Sequence, residues 1–272
     1  MAQFFRKDYG GKLEVSMKIK LLRHATVILT IGNKRILVDP MLKNSGECNP
    51  VPTCKKGKGL RNPMVELPID KTEINEMLNS IDAILITHMH FDHFDDLDGK
   101  TLPKQIPIIC QFEDVIRLKK IGFKNLYPVG SETRWEGIKI DRVKCRHGGF
   151  LLRHIMGSVS GYVFKCSGEP SLYITSDTVW CSHVKNALLK YNPEIIMLNA
   201  GAARLPIGRS ITMDSSDILE VCNSAPNSKV IAVHMESINH CLLSRAELRD
   251  YLEMKQLFKV FIPEDGEVLE FL

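Results

Sequence analysis

The sequence predicts an α/β-type fold of four layers, in which two mixed β-sheets pack together and helices cover their outer faces. Both halves of the chain begin with strand patterns and then alternate helix with strand, the order expected for sheets with helices outside. The 272 residues are 44% hydrophobic and 25% charged, which excludes a disordered, collagenous or coiled-coil architecture. Because no internal repeat is visible either, we expect one domain spanning residues 1–272.

The first elements are predicted to form a hairpin. A β-branched run at 27–31 is followed by a Gly32-Asn33 turn and a second apolar run at 35–38, which is a hairpin signal. Residues 44–68 are rich in Pro, Gly, Asn and Lys and predict a long surface loop. Loops of this length are often functional.

Helices are predicted where apolar residues recur at helical spacing. Asp70 or Thr72 can cap a helix, and Ser244 begins a capping box at the start of a C-terminal helix. Two further helices are predicted at 112–118 and 184–191. Short apolar or alternating segments predict the remaining strands, at 83–86, 108–110, 137–144, 162–164, 172–174, 195–198, 230–233 and 260–272.

Charge and cysteine usage indicate a cytoplasmic protein that binds neither nucleic acid nor membrane. The net charge of +4 is too small to imply a nucleic-acid partner, and the basic run at 55–61 is interpreted as a solvated loop. No apolar run approaches the roughly 18 residues of a membrane span, and no secretory signal is recognised. Cys48 and Cys54 could pair or bind metal, but the eight cysteines include no Cys-x-x-Cys pair and are expected to be reduced.

The strongest chemical signal is the segment THMHFDH at residues 87–93, directly after a short apolar strand. Three of the nine histidines and one aspartate fall within six residues, at a junction where side chains can converge. His88 and His90 can share one side of an extended segment, whereas Asp92 and His93 reach toward a different point. Imidazole and carboxylate groups together suit Zn, Fe or Mn, so we predict a metal site here.

The run His-x-His-x-Asp-His after a buried strand resembles the signature of the metallo-β-lactamase-fold hydrolases. Four further landmarks recur in order at strand ends, along nearly the whole chain. Asp39 resembles the buried aspartate that braces the metal loop, and His147 the third histidine of the first metal site. Asp177 resembles the carboxylate that bridges two metals, and His234 the final ligand of the second site. The resemblance implies an αββα sandwich with the metals at one edge of the two sheets.

The same resemblance implies a dinuclear site with two divalent ions, zinc first and manganese or iron as alternatives. The first metal would be held by His88, His90 and His147, and the second by Asp92, His93 and His234, with Asp177 between them. Metal binding lowers the pKa of water from 15.7 toward about 7. We therefore expect a hydrolase that uses a metal-bound hydroxide on a small, anionic ester, lactone or phosphoester. Asp92 and His240 are its predicted catalytic residues.

Several histidine assignments stay open. His154 competes with His147 for the first site, and His147 is preferred because it ends a strand and precedes two glycines. His240 competes with His234 for the second site, and is either a proton donor to the leaving group or a structural residue. His24 also ends a strand, and either lines the pocket or is simply buried.

The branch of the family and the substrate are less sharply indicated. Segments 23–25 and 39–40 are similar to the ascorbate-6-phosphate lactonase-like branch, some members of which associate, so a homo-oligomer is considered. Residues 199–203 either present backbone and amide groups to a small-molecule substrate or form a plain turn. Asp177 could instead cap the following turn. A metal-dependent ligand-binding or sensing protein, and a nuclease-type phosphodiesterase of the same fold, are the alternative functions.

Overall fold

Two mixed β-sheets form the centre of the computed structural model, which describes residues 16–53, 56–94, 102–148 and 156–272. The first sheet contains, in spatial order, β14 (Val268–Phe271), β1 (Met17–Arg23), β2 (Thr26–Ile31), β3 (Lys34–Val38), β4 (Ala83–Leu85), β5 (Ile108–Cys110) and β6 (Leu126–Pro128). The second contains β13 (Val260–Phe261), β12 (Lys229–Val233), β11 (Ile195–Asn199), β10 (Leu172–Ile174), β9 (Ser160–Lys165), β8 (Ile138–Lys144) and β7 (Thr133–Trp135).

Each sheet has an antiparallel half and a parallel half. In the first sheet, β14, β1, β2 and β3 pair antiparallel, and β3 to β6 pair parallel. In the second, β7 to β10 pair antiparallel, and β10 to β13 pair parallel. The predicted class of two mixed sheets is therefore confirmed.

Helices cover the outer faces of both sheets. The helices within the described residues are α1 (Lys71–Asn79), α2 (Val115–Ile121), α3 (Ser182–Tyr191), α4 (Ser215–Ser224) and α5 (Arg245–Met254). Met77 and Leu118 of α1 and α2 belong to the apolar cluster on the first sheet. Val184, Ile218 and Leu248 of α3, α4 and α5 belong to the cluster on the second sheet. A third apolar cluster lies between the two sheets, so the layer order is αββα.

The predicted caps are present, and the main differences lie where packing decides the structure. Asp70 and Ser244 both form capping boxes. The helix predicted at 112–118 is a 3-10 turn followed by α2, and the strand predicted at 260–272 is divided between β13 in one sheet and β14 in the other. The strands β6 and β7 and the helix α4 were not predicted from the sequence. No helix in the described part of the chain is long and apolar enough to cross a membrane.

The topology brings the predicted site residues to one edge of the sandwich. Asp39 directly follows β3, and the segment 87–93 begins two residues after β4. Asp177 lies shortly after β10, and His234 directly follows β12. Since β3 pairs parallel with β4, and β10 to β12 pair parallel with one another, the carboxyl ends of the strands in each set lie at the same edge.

Candidate metal centre

Asp39 holds the loop that carries the 87–93 motif. Its Oδ1 accepts a hydrogen bond from the backbone N–H of Thr87 (2.8 Å), and its Oδ2 accepts one from the Thr87 hydroxyl (2.7 Å) and one from Nδ1 of His93 (2.7 Å). The Thr87 hydroxyl also lies 3.0 Å from Nδ1 of His88, and accepts from it because its own proton is given to Asp39. One buried carboxylate thus orients histidines at both ends of the motif, which is the contact predicted for Asp39.

Two groups of potential metal-ligand atoms lie beside this loop. The first contains His88, His90 and Asp177, and the second contains His24, Asp92, His93 and His234. The ligand atoms within each group lie within 4.8 Å of one another. Nε2 of His88 is 2.9 Å from Nδ1 of His90 in the first group, and the Nε2 atoms of His93 and His234 are 3.2 Å apart in the second.

Asp177 belongs to the first group but directs one of its two oxygens toward the second. Its Oδ1 is 3.4 Å from Nε2 of His93 and 3.3 Å from Nε2 of His234. Its Oδ2 is 3.9 Å from Nε2 of His88 and 3.6 Å from Nε2 of His147. His147 therefore borders the first group, although its ring nitrogen lies outside the 4.8 Å set.

Five histidines of the centre each have a polar partner on the ring nitrogen that faces away from Asp177. Metal-binding histidines almost always have a polar partner on the second ring nitrogen, which fixes the ring and its tautomer. The partners are Thr87 for His88, the Met156 carbonyl (2.7 Å) for His90, Asp39 for His93, the Ile211 carbonyl (2.9 Å) for His147 and Sγ of Cys241 (3.6 Å) for His234.

The carboxylates dominate the electrostatics of the second group. Burial lowers the pKa of His93, but the carboxylates of Asp177, Asp39 and Asp92 raise it more, to about 10. Burial raises the pKa values of Asp92 and Asp177, but neighbouring histidines, His93 and His234 among them, hold both well below the usual range. Both carboxylates are therefore ionised, and the metal-free site attracts positive charge.

The histidines nearer the edge of this charge cluster are neutral. Burial lowers the pKa of His147 to about 4. Burial, together with the nearby His93, holds the pKa of His88 well below its usual value. A neutral imidazole is the form that binds a metal.

The donor set fits divalent metal ions. His88 and His90 donate their outer N–H groups to Thr87 and Met156, so their inner nitrogens face each other at 2.9 Å as lone pairs. Such a buried contact is repulsive unless a cation lies between the two nitrogens. Several imidazoles and two ionised carboxylates are the ligands that Zn, Fe and Mn accept.

Other residues singled out in the sequence lie around this centre or outside the described chain. His240 is buried, and burial lowers its pKa. The nearby carboxylates of Asp92 and Asp177 raise that pKa by a smaller amount, and the ring of His234 lowers it further. The amide of Asn199 donates to Oδ1 of Asp177 (2.7 Å). His154 lies outside the described residues.

Some contacts at the centre had no sequence signal. The Met156 and Ile211 carbonyls are backbone groups, which every residue carries and which therefore give no residue-specific signal in a sequence. His24, at a strand end, was expected either to line the pocket or to be buried, and no partner was predicted for it. Its Nε2 is 3.3 Å from Oδ2 of Asp92, a contact that spans 68 residues of sequence.

The surroundings of the centre are apolar on one side and charged on another. An apolar cluster adjoins the ligand loop, and it contains Met41, Val51, Phe91, Met156, Ala203, Leu205, Ile211, Ile238 and Cys241. A cavity of about 770 Å³ adjoins His147 and is lined by Arg146, Arg209 and Trp180, among others.

Comparison with known proteins agrees with the fold and identifies the family. The family model described as the beta-lactamase superfamily domain matches residues 34–235. The UPF0173 protein YddR of Bacillus subtilis is 40% identical over 259 residues, which cover 94% of this chain and 100% of that protein. A UPF0173 metal-dependent hydrolase of Methylacidiphilum infernorum is 24% identical over 89% of this chain and 94% of its own length.

A solved structure of similar shape supports the same class. The crystal structure of an isothiocyanate hydrolase from Delia radicum gut bacteria superposes with a TM-score of 0.88 and 34% identity, over 94% of this chain and 99% of that one. The fold and the histidine–aspartate centre define a metal-dependent hydrolase. The chain belongs to the beta-lactamase superfamily, among the UPF0173 proteins.

Proposed function

We propose that the chain is a two-metal hydrolase. In this proposal the first metal is held by His88, His90 and His147, the second by Asp92, His93 and His234, with Asp177 shared between them. The observation that carries the proposal is the position of Asp177, whose two oxygens face different histidine pairs at 3.3–3.9 Å. A shared carboxylate offsets the repulsion between two neighbouring cations.

The residues around the metals have separable roles. The metals, when bound, lower the pKa of a water ligand toward about 7 and polarise a substrate oxygen. Asp92 stays ionised and helps to hold the second metal. His240 is kept neutral by burial, so it can accept a proton and return it to the leaving group. Asn199 fixes the orientation of Asp177 through its 2.7 Å hydrogen bond.

A small anionic ester, lactone or phosphoester is one proposed substrate class. Arg146 and Arg209 line the cavity beside His147. Their guanidinium groups suit carboxylate and phosphate. Both arginines are exposed, and the Nη2 of Arg146 donates to the Trp180 carbonyl (2.7 Å). Arg209 is therefore the better choice for a substitution. Arg209→Ala should therefore raise KM for an anionic ester and leave kcat unchanged.

An isothiocyanate is the second proposed substrate class, because two observations favour it. The structural neighbour at 34% identity is an isothiocyanate hydrolase, and an apolar cluster that includes Phe91 and Leu205 adjoins the ligand loop. A neutral electrophile with an apolar substituent would contact that cluster. Leu205→Ala should lower kcat/KM for such a substrate by about tenfold, and Arg209→Ala should not change it.

The surroundings in which the chain acts are also proposals. One domain is supported by the apolar cluster between the sheets, which includes both Met17 and Phe271. The seven cysteines within the described residues are free, which fits a reducing compartment such as the cytoplasm; Cys54 lies outside those residues. A homo-oligomer stays a prediction that light scattering can test.

Metal content measured by mass spectrometry tests the proposed function. We expect about two divalent metals per chain after purification without chelator. Asp177→Ala should bind fewer, whereas Asp141→Ala should bind the wild-type number, because Asp141 is a buried carboxylate that belongs to neither ligand group and accepts from the backbone N–H of Glu132 (2.8 Å). A wild-type content near zero that added Zn, Mn or Fe does not restore would overturn the proposal.

A further inference from the structure

His24 is held against the second ligand group by its backbone and its ring. The residue is fully buried and has a positive φ of 60°, a conformation that non-glycine residues rarely adopt. Its carbonyl accepts a hydrogen bond from the backbone N–H of His234 (2.8 Å). The two imidazole rings lie 3.6 Å apart, centroid to centroid. Strained backbone of this kind is concentrated at functional sites.

The ring of His24 has two opposite interpretations. Its Nε2 lies within 4.8 Å of the ligand atoms of Asp92, His93 and His234, so it could be a further protein ligand of the second metal. The same nitrogen is 3.3 Å from Oδ2 of Asp92, so it could instead carry a proton and donate it to that carboxylate.

The other ring nitrogen distinguishes the two interpretations. If Nε2 bound a metal, Nδ1 would carry the proton. Nδ1 of His24 is buried and has no hydrogen-bond partner among the described residues, whereas the other five histidines of the centre each have a polar partner on the corresponding nitrogen. A buried N–H without an acceptor is rare and costly. With the proton on Nε2, the only unpaired group is a lone pair.

We propose that His24 is a positioning residue, which donates its Nε2–H to Asp92 and fixes the direction of that carboxylate at the second metal. The proposal rests on the two-metal function above. The Asp92 oxygen that accepts from His24 also lies 4.0 Å from Nε2 of His93 and 3.7 Å from Nε2 of His234. His24 would therefore not be a ligand itself; Asp92, His93 and His234 would hold the second metal together with Asp177, and a catalytic metal also needs room for water.

A calorimetric titration of the metal-free protein with zinc, in the presence of a competing chelator, tests this role. We expect His24→Ala to bind two zinc ions, but the affinity of the second site should be about 10–100-fold lower than in wild type. His24→Gln keeps an N–H donor and should recover most of that loss. His183→Gln, a change at an exposed histidine at the start of α3, is the matched control and should not change either affinity.

Cobalt-loaded wild-type protein gives a measurement that does not depend on a variant folding. Ring N–H protons of histidines bonded to cobalt show large contact shifts, and we expect five such signals, from His88, His90, His93, His147 and His234. The ring N–H of His24, which is not bonded to the metal, should show only the smaller through-space shift of a nearby proton.

A contact-shifted signal from His24, loss of the second metal in both His24 variants, or wild-type affinity in His24→Ala would overturn the positioning role while leaving the two-metal function intact. Wild-type protein that binds fewer than two metals would overturn both.

Discussion

The hydroxyl of Thr87 connects Asp39 to His88, and its removal tests whether this connection supports metal binding. It donates to Oδ2 of Asp39 (2.7 Å) and accepts from Nδ1 of His88 (3.0 Å). Thr87→Val keeps nearly the same shape and removes both bonds. The His88 N–H is then left buried and unpaired, which costs about 1–3 kcal/mol of unfolding free energy. Oδ2 of Asp39 keeps its bond from His93, so the support of the second ligand group should survive.

The effect on metal binding follows from the same contacts. Loss of an outer hydrogen bond to a ligand histidine typically lowers metal affinity about 10–100-fold, and only the His88 group loses one. We therefore expect calorimetric titration of Thr87→Val with zinc to show one weakened site and one unchanged site. Denaturant unfolding of the metal-free protein measures the accompanying loss of stability.

Thr26→Val is the matched control for this substitution. The Thr26 hydroxyl is also buried, donates to the Asp39 carbonyl (2.7 Å) and accepts from the Met41 backbone N–H (3.1 Å), but it contacts no ligand histidine. Its removal should lower stability by a similar amount without selectively weakening one metal site. Wild-type affinity at both sites in Thr87→Val, or an equal loss of metal affinity in Thr26→Val, would refute the proposed role of the hydrogen bond between Thr87 and His88.

Three further predictions concern the same centre. Asp92→Ala should lower turnover at least about 100-fold, because loss of a metal ligand costs more than loss of a hydrogen bond to a ligand. The circular dichroism spectrum should stay unchanged. Retained activity on an identified substrate would contradict the role of Asp92. Because His93 has a pKa of about 10 in the metal-free site, a metal must displace its proton at neutral pH. Metal affinity should therefore rise with pH, by up to about tenfold per unit between roughly pH 7 and 9, as titrations at several pH values would measure; a pH-independent affinity would contradict this. A Cβ at Gly201 would lie 2.3 Å from the His234 carbonyl oxygen, so Gly201→Ala should destabilise the fold by about 1–3 kcal/mol in denaturant unfolding. Gly130→Ala, where the nearest atom is 3.6 Å away, should be nearly neutral.

Local chemistry explains which parts of the fold were predictable. The caps at Asp70 and Ser244 were predicted because a capping box uses only residues three apart. The α4 helix was missed although Ile218, Val221 and Cys222, its buried residues, have helical spacing. The division of 260–272 between two sheets was not predictable from that segment, because its partners, β12 and β1, are far away in sequence.

The sequence alone determined the chemistry of the candidate site. Three histidines and an aspartate within 88–93, with Asp177 and His234 at later strand ends, indicate metal binding because imidazole and carboxylate groups together suit Zn, Fe or Mn. The αββα class followed from the alternation of strands and helices and from the family resemblance, and the structure confirms it.

Only the tertiary structure decided how those side chains are held and which of them face one another. The carbonyls of Met156 and Ile211 orient His90 and His147, and a backbone carbonyl has no residue-specific signal in a sequence. His24 meets Asp92 because β1 and β4 belong to the same sheet, although 68 residues separate them. The directions of the two Asp177 oxygens depend on histidines brought together from three separate loops, and long-range packing alone sets such an arrangement.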